Sequence, residues 1–583
     1  MKLFDSFKKI TIGIYTSIRR FPVPLLFSTF LAILLMILTK ISTYPSRPIE
    51  EVLKRVAMAV ALGIPLSLCA RMLFEKRGKE RQSRLIVYSL GSAILPILYY
   101  FFFLKDLNMV SVTRYIGISL ALYLAFIFIP YLGDRKNFEI YVLKLFTGFL
   151  VTYVYSAILY AGLSAILFTT NKLLGVPMES EIYVYTFLTV ALIFAPAYFL
   201  AQVPKSKEDL SPMEYSKVFK VLLMYILMPL LSVYTFILYL YFGKIIVTMQ
   251  WPVGLVSHLV LWYSILLTIV LFFIHPMRNE NKWIKGFSQW APLMVLPILL
   301  MMFVSMGIRI KAYGVTENRY YVFVLGLWVL GIMIYYAITK SKKNIVLLVS
   351  LSIVLLLSVL GPISSYSIAN HSQNKRFSTV LKENSMIEGN HIKPASHNIS
   401  KADKEQISGI LHYFETQHDL KGIKYLPQDF KIENMEDIFG FAYTHPTSPV
   451  ENEYFYLMIE ENHKLFEISS YDYLYRFNSY LNKSQINDEV IDVILQSDSN
   501  SIIVGYEGIE IYQKDLTPYI NKLYETYGLP QGTEAIPSEE MTIIDENDRL
   551  KVKLIFHNIE GQKEDSQKIK IENMDVNILI KIK

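Results

Sequence analysis

The chain has 583 residues, is 53% hydrophobic and 18% charged, holds one cysteine and has a mean hydropathy of +0.35. This is too apolar for an ordinary soluble protein and too patterned for a disordered one. Residues 1–369 hold 35 Lys and Arg against 15 Asp and Glu and the remainder 22 against 35, so the net +7 averages a basic apolar part and an acidic polar one, and the acidic part argues against nucleic acid as a partner.

Residues 1–20 read as a basic cytoplasmic segment at the membrane interface. Leu3, Phe4, Phe7, Ile10 and Ile14 recur at helical spacing among Lys8, Lys9, Arg19 and Arg20, which suits a helix lying in the interface; a plain basic flank of the first span fits as well.

Residues 21–364 read as a polytopic α-helical membrane bundle. A helix rises about 1.5 Å per residue, so about 18 apolar residues are needed to cross a hydrocarbon core of about 30 Å. Eleven runs meet that length, near 21–39, 56–74, 85–104, 115–132, 145–169, 183–201, 221–242, 254–275, 290–309, 320–338 and 344–364. The first is too long, and followed by too many others, for a cleaved signal peptide, so it reads as a signal anchor. With the N-terminus in the cytoplasm, the inside segments carry 23 Lys and Arg and the outside loops 11, which is the bias that cytoplasmic loops keep. Eleven crossings of a bacterial cytoplasmic membrane then put everything after residue 364 outside the cytoplasm. Residue usage rich in Lys, Ile, Asn and Tyr fits a bacterium of low GC content.

Particular residues along the bundle point to or away from chemistry. Glu50 and Glu51 occupy the first outside loop, where polyprenyl-phosphate-sugar glycosyltransferases carry an acidic base or metal ligand, but Arg47, Lys54 and Arg55 flank them and favour a solvated loop. Cys69 falls inside the second run and offers neither a disulfide nor an accessible thiolate. No run has a carboxylate near its centre, which disfavours a carboxylate-based ion pump. Pro65, Pro96, Pro229 and Pro297 lie within runs and can kink them. Trp251, Pro252 and Gly254 stand where an outside loop re-enters the bilayer, with His258 just after them in an interfacial or packing role. Ahead of the tenth run Thr316 can cap the helix, Glu317 faces its dipole and Arg319 follows within a turn, with Tyr313 and Tyr320 beside them. Trp251, His258, Tyr313, Glu317, Arg319 and Tyr320 are therefore the candidate binding residues, with capping and anchoring as the competing explanation. No catalytic residue, metal ligand set or cofactor is identified.

Residues 365–400 read as a linker and 401–583 as a soluble α+β extracytoplasmic domain with an antiparallel sheet. Ser372 to Lys375 fits the Ser-x-x-Lys pattern of serine acyl enzymes, but its companion motifs are missing. His371, His391, His397, His412 and His418 scatter without metal-ligand spacing. Polar residues 398–400 start a helix over 401–417, with Ile407, Ile410, Leu411 and Phe414 as one apolar stripe. Strands are expected at 439–444, 454–460 and 464–469, a helix at 471–481, strands at 501–504 and 509–512, and a helix over 515–527. Alternation of Leu550, Val552, Leu554 and Phe556 marks another strand, and 576–583 the last. Aligning 466–468 with 509–511, at an offset of 43, suggests a weak duplication of a hairpin-then-helix unit.

Several stretches carry a family resemblance. KVLLMYILMPLLSVYTFILYLYFGKIIVTMQWPVGLVS at 220–257, YGVTENRYYV at 313–322, SSYSIANHSQNKRF after the last run and FEISSYDYL in the tail resemble the bacterial membrane-protein family called Domain of Unknown Function 4153. The resemblance implies a many-span architecture with a trailing domain and no transferable activity. The first functional expectation is a non-catalytic envelope protein that senses or scaffolds, its partners the lipid bilayer and an extracytoplasmic ligand or envelope protein. The alternatives are a transporter or permease for a neutral or lipidic substrate, and a lipid-linked glycosyltransferase.

Overall fold

Apolar stretches removed from water must satisfy their backbone within themselves, and helices do this at the shortest range. In a computed structural model of the chain, every one of the eleven apolar runs is helical. The structure describes residues 2–42, 47–77, 82–133, 137–176, 178–205, 217–249, 255–279, 281–395, 399–444, 453–460, 468–478, 491–496, 500–507, 509–527, 535–565 and 568–583. The chain divides into a helical unit, Met1–Lys382 with Tyr413–Gln428, and a β-rich unit, Glu383–His412 with Asp429–Lys583.

The helical unit begins with α1 (Lys2–Arg20), α2 (Pro22–Ser42), α3 (Arg47–Arg77), α4 (Gln82–Phe103), α5 (Met109–Phe128) and α6 (Phe138–Leu174). There follow α7 (Ser180–Thr189) and α8 (Ala195–Gln202), joined by a π-helical stretch at Val190–Phe194, then α9 (Lys217–Val221) and α10 (Met228–Thr248), joined by another at Leu222–Leu227. It continues with α11 (Leu255–Ile274), α12 (Lys282–Tyr313), α13 (Glu317–Ile338), α14 (Ile345–Val359) and α15 (Ser365–Glu383). Among the described residues nine helices are long and apolar enough to cross a membrane, and two apolar helices, Leu90–Phe103 and Ile345–Val359, are shorter. The buried centre is aliphatic and aromatic, with Val260, Val270, Ile298, Met302 and Val329 wholly enclosed.

Segments expected on one side of the membrane meet one another. At one end Arg20 makes a two-pronged pairing with Glu75, both bonds 2.8 Å, and donates to the Val203 and Pro204 carbonyls. At the other, Tyr366 donates to the Met109 carbonyl, 2.9 Å, and bonds Thr113. Prolines leave carbonyls without an N–H partner four residues earlier. Pro196 frees the Leu192 carbonyl, which accepts from Ser28 of α2; Pro292 frees that of Ser288, which accepts from Lys342. The stretch 365–400, expected as linker, instead opens with the nineteen-residue helix α15 and closes on the small hairpin β1 (Ile387–Glu388) and β2 (His391–Ile392).

In the tail, α16 (Lys401–Gln417) forms where its apolar stripe predicts, and Ser400 and Asp403 hydrogen-bond reciprocally at its start. The expected strand at 439–444 does not form: the short helix α17 (Met435–Phe439) ends at Gly440, φ +76°, and 441–444 are irregular. After β3 (Glu453–Met458), the expected helix at 471–481 is instead the strand β4 (Tyr473–Asn478), because Tyr473, Tyr475 and Phe477 pair along the final strand of the chain. This removes the proposed duplication: its second copy is a strand and helix, but its first lies on a strand. The expected strand at 464–469 falls largely outside the described residues. Then come β5 (Ile491–Gln496), β6 (Ser501–Tyr506), β7 (Ile509–Asp515), α17's successor α18 (Thr517–Tyr527), β8 (Thr542–Glu546), β9 (Leu550–Asp565) and β10 (Lys568–Ile582). All strand pairings are antiparallel, giving a sheet in the order β3-β9-β10-β4 with β8 also on β9, and a second sheet β5-β6-β7.

Gly561 of β9 lies where a Cβ would come 2.3 Å from the Lys570 carbonyl oxygen and 2.8 Å from the Phe455 ring. Gly561→Ala is expected to destabilise the β-rich unit by about 1–3 kcal/mol, read from the unfolding of the full-length protein; unchanged stability would count against this register.

Candidate functional site

The turn between α12 and α13 carries four of the six candidate residues. Gly314 ends α12 with φ +70° and ψ −179°, a conformation that favours glycine. A Cβ there would stand 2.6 Å from Arg376 Cδ, because α15 lies against the turn. The helix-end carbonyls are thereby claimed by side chains. Arg376 donates to the Tyr313 and Ala312 oxygens at 2.8 and 3.3 Å, Arg319 to Tyr313 and Gly314 at 3.2 and 3.0 Å, and Gln373 to Tyr313 and Val315 at 3.1 and 3.0 Å. Two guanidinium groups thus sit at the negative end of the α12 dipole. Burial pulls the Arg376 guanidinium below its ordinary value.

Thr316 occupies the N-cap of α13 but its side chain makes no capping bond; the first turn is organised around Glu317 instead. Tyr413 Oη stands 2.7 Å from both Glu317 oxygens, and His418 Nε2 lies 2.8 Å from Oε1 and 2.9 Å from the Tyr413 hydroxyl. The side chains of Glu317 and His418 keep only 13% and 7% of their exposure. The imidazole packs among the rings of Tyr366, Tyr413 and Phe414. Burial and the adjacent carboxylate push the Tyr413 phenol far above its ordinary value, so it donates and does not ionise. Asn374 fixes the chain just beyond, donating to the Gly422 carbonyl and accepting from the Lys424 N–H, each 2.9 Å. Chemically this is a carboxylate, an imidazole and a phenol holding protons in common, in a pocket of aromatic rings.

The structure thus brings together Tyr313, Glu317 and Arg319. Tyr320 points elsewhere, its hydroxyl on the Ile363 carbonyl at 2.6 Å. His258 is half-buried on the first turn of α11 and is no member of this set, and Trp251 lies outside the described residues. Tyr413, His418, Gln373 and Arg376 are the members that sequence reasoning missed. Ser372 is engaged as acceptor for the Val315 N–H at 2.9 Å, a turn-holding role in place of a nucleophile's, and Glu50 pairs with Lys54 at 2.6 Å. Among the described residues no three His, Cys, Asp or Glu gather as metal ligands.

Comparison with known proteins agrees with the architecture. The family model described as "Domain of unknown function (DUF4153)" matches residues 25–386. An uncharacterized protein of Pasteurella multocida (strain Pm70) is 23% identical over 446 residues, covering 74% of this chain and 75% of that protein. No solved structure matches significantly.

Glu317→Ala takes from Tyr413 and His418 the acceptor they share, leaving them only each other, and is expected to lower stability by about 2–3 kcal/mol, against about 1 kcal/mol for Ser372→Ala. Thermal unfolding in detergent micelles checks the ranking, and equal effects would contradict it.

Proposed function

Because the chain belongs to the DUF4153 family, whose description names no activity, we propose from its own geometry that it is a non-catalytic protein of the bacterial cytoplasmic membrane, with its β-rich unit outside the cell's cytoplasm as a sensing or scaffolding module. One observation carries this reading. Tyr413 near the end of α16 and His418 just after it hold Glu317 at the first turn of α13. The carboxylate at this turn is thereby committed to structural bonds, which suits a non-catalytic protein. The eleven apolar runs of the sequence and the excess of Lys and Arg on one set of loops support the orientation.

A transporter reading has the two π-helical stretches ahead of Pro196 and Pro229 on its side, since such irregularities concentrate at functional sites. Photo-crosslinkers at the exposed apolar positions Leu474 and Ile509 discriminate the two: the scaffold reading expects one discrete envelope adduct in living cells, and solute flux in proteoliposomes with no adduct would replace it with transport.

Orientation is checked with single cysteines in a Cys69→Ser background. Glu539→Cys is expected to react with an impermeant maleimide in intact spheroplasts, and Lys340→Cys only after permeabilisation; the reverse would overturn the assigned topology.

A further inference from the structure

At the end of the helical unit away from Glu317, a cavity of about 290 Å³ opens between the starts of α6 and α14, lined in part by Glu139, His275, Lys342, Lys343 and Asn344. Among the described residues its lining holds one carboxylate, and that one is already served. Glu139 Oε1 accepts from Asn344 Nδ2 at 2.6 Å and lies 3.3 Å from His275 Nδ1, while Asn344 is itself held by the Tyr336 hydroxyl at 2.7 Å. Its cations are less well matched. Lys342 donates to the Ser288 carbonyl at 3.3 Å and lies over the Tyr336 ring, neither of which neutralises an ammonium. Burial and the neighbouring Arg278 charge pull its amine down to about 8, the mark of a cation short of negative charge. Lys343 adds a second, exposed ammonium. Neither N-cap residue, Asn137 of α6 or Asn344 of α14, caps its helix with its own side chain, and the positive ends of both helices border the same space.

We propose that this cavity is a binding site for a phosphate group, presented either by a small phosphorylated solute or by the headgroup of an anionic lipid. Two ammonium groups, an imidazole and two helix ends offer more donors than a carboxylate's two oxygens can use, whereas a phosphate has enough oxygens and charge to engage them. The volume sits at the small end of the range for ligand pockets, which matches a phosphate with a compact substituent or a headgroup whose chains remain in the bilayer. Glu139, the negative group facing the site, orients Asn344 and His275 and stays paired while the phosphate meets the lysines.

The test uses the full-length protein in nanodiscs, with inorganic phosphate titrated calorimetrically in phosphatidylcholine discs and lipid retention measured by native mass spectrometry with phosphatidate mixed into phosphatidylcholine. Saturable phosphate binding weakened about ten-fold or more by Lys342→Gln supports a soluble phosphate; preferential retention of phosphatidate lost in the same variant supports a headgroup. Lys343→Glu, at an exposed side chain whose backbone bond to Tyr335 survives, guards against a folding defect and is expected to weaken either mode as well. No binding in either arm, or binding unaltered by both variants, overturns the proposal.

Discussion

A carboxylate stripped of most of its water is tolerable only where donors replace that water, and Glu317 meets the condition through Tyr413, His418 and the start of its own helix. The arrangement around it follows. Tyr413 and His418 can reach the carboxylate because α16 ends where it does and Asn374 pins the loop that follows, while α15 fills the space over the turn with Gln373 and Arg376. In the segment YGVTENRYY the carbonyls that end α12 are thus claimed by Gln373 and Arg376 of α15, and the carboxylate that opens α13 by Tyr413 and His418.

The same rule operates inside the helical unit, where water is not available to repair a missing bond. Prolines in α8 and α12 release carbonyls that Ser28 and Lys342 then take up, so at these two places a side chain from elsewhere in the unit replaces the missing backbone donor. At one site the repair has a by-product. Lys342 is drawn into a partly buried position near Arg278, with the Ser288 carbonyl and the Tyr336 ring as partners that leave its charge unneutralised.

The sequence revealed what depends on local pattern and concealed what depends on distant partners. Eleven apolar runs became helices because length and hydropathy are properties of the run itself. Helix α16 was legible from its stripe and its Ser400–Asp403 cap. The segment at 471–481 reads as a helix from its own residues, while its strand state is set by pairing with β10 about a hundred residues later. At 439–444 Gly440, at φ +76°, closes a short helix at the point where the strand is expected to begin. Among the site residues, Glu317 and Arg319 were visible from their place before a span. His418 passed for scatter because its partner lies 101 residues earlier, and Arg376 and Gln373 were hidden in what looked like a linker.

The most direct measurement is a double-mutant cycle between Glu317→Gln and Tyr413→Phe, read from the stability of the full-length protein in mixed micelles. A coupling of about 1–3 kcal/mol is expected if the carboxylate and phenol form one buried unit. Additive effects within about 0.5 kcal/mol would show that Tyr413 does not hold Glu317 and would remove the link from α16 to α13.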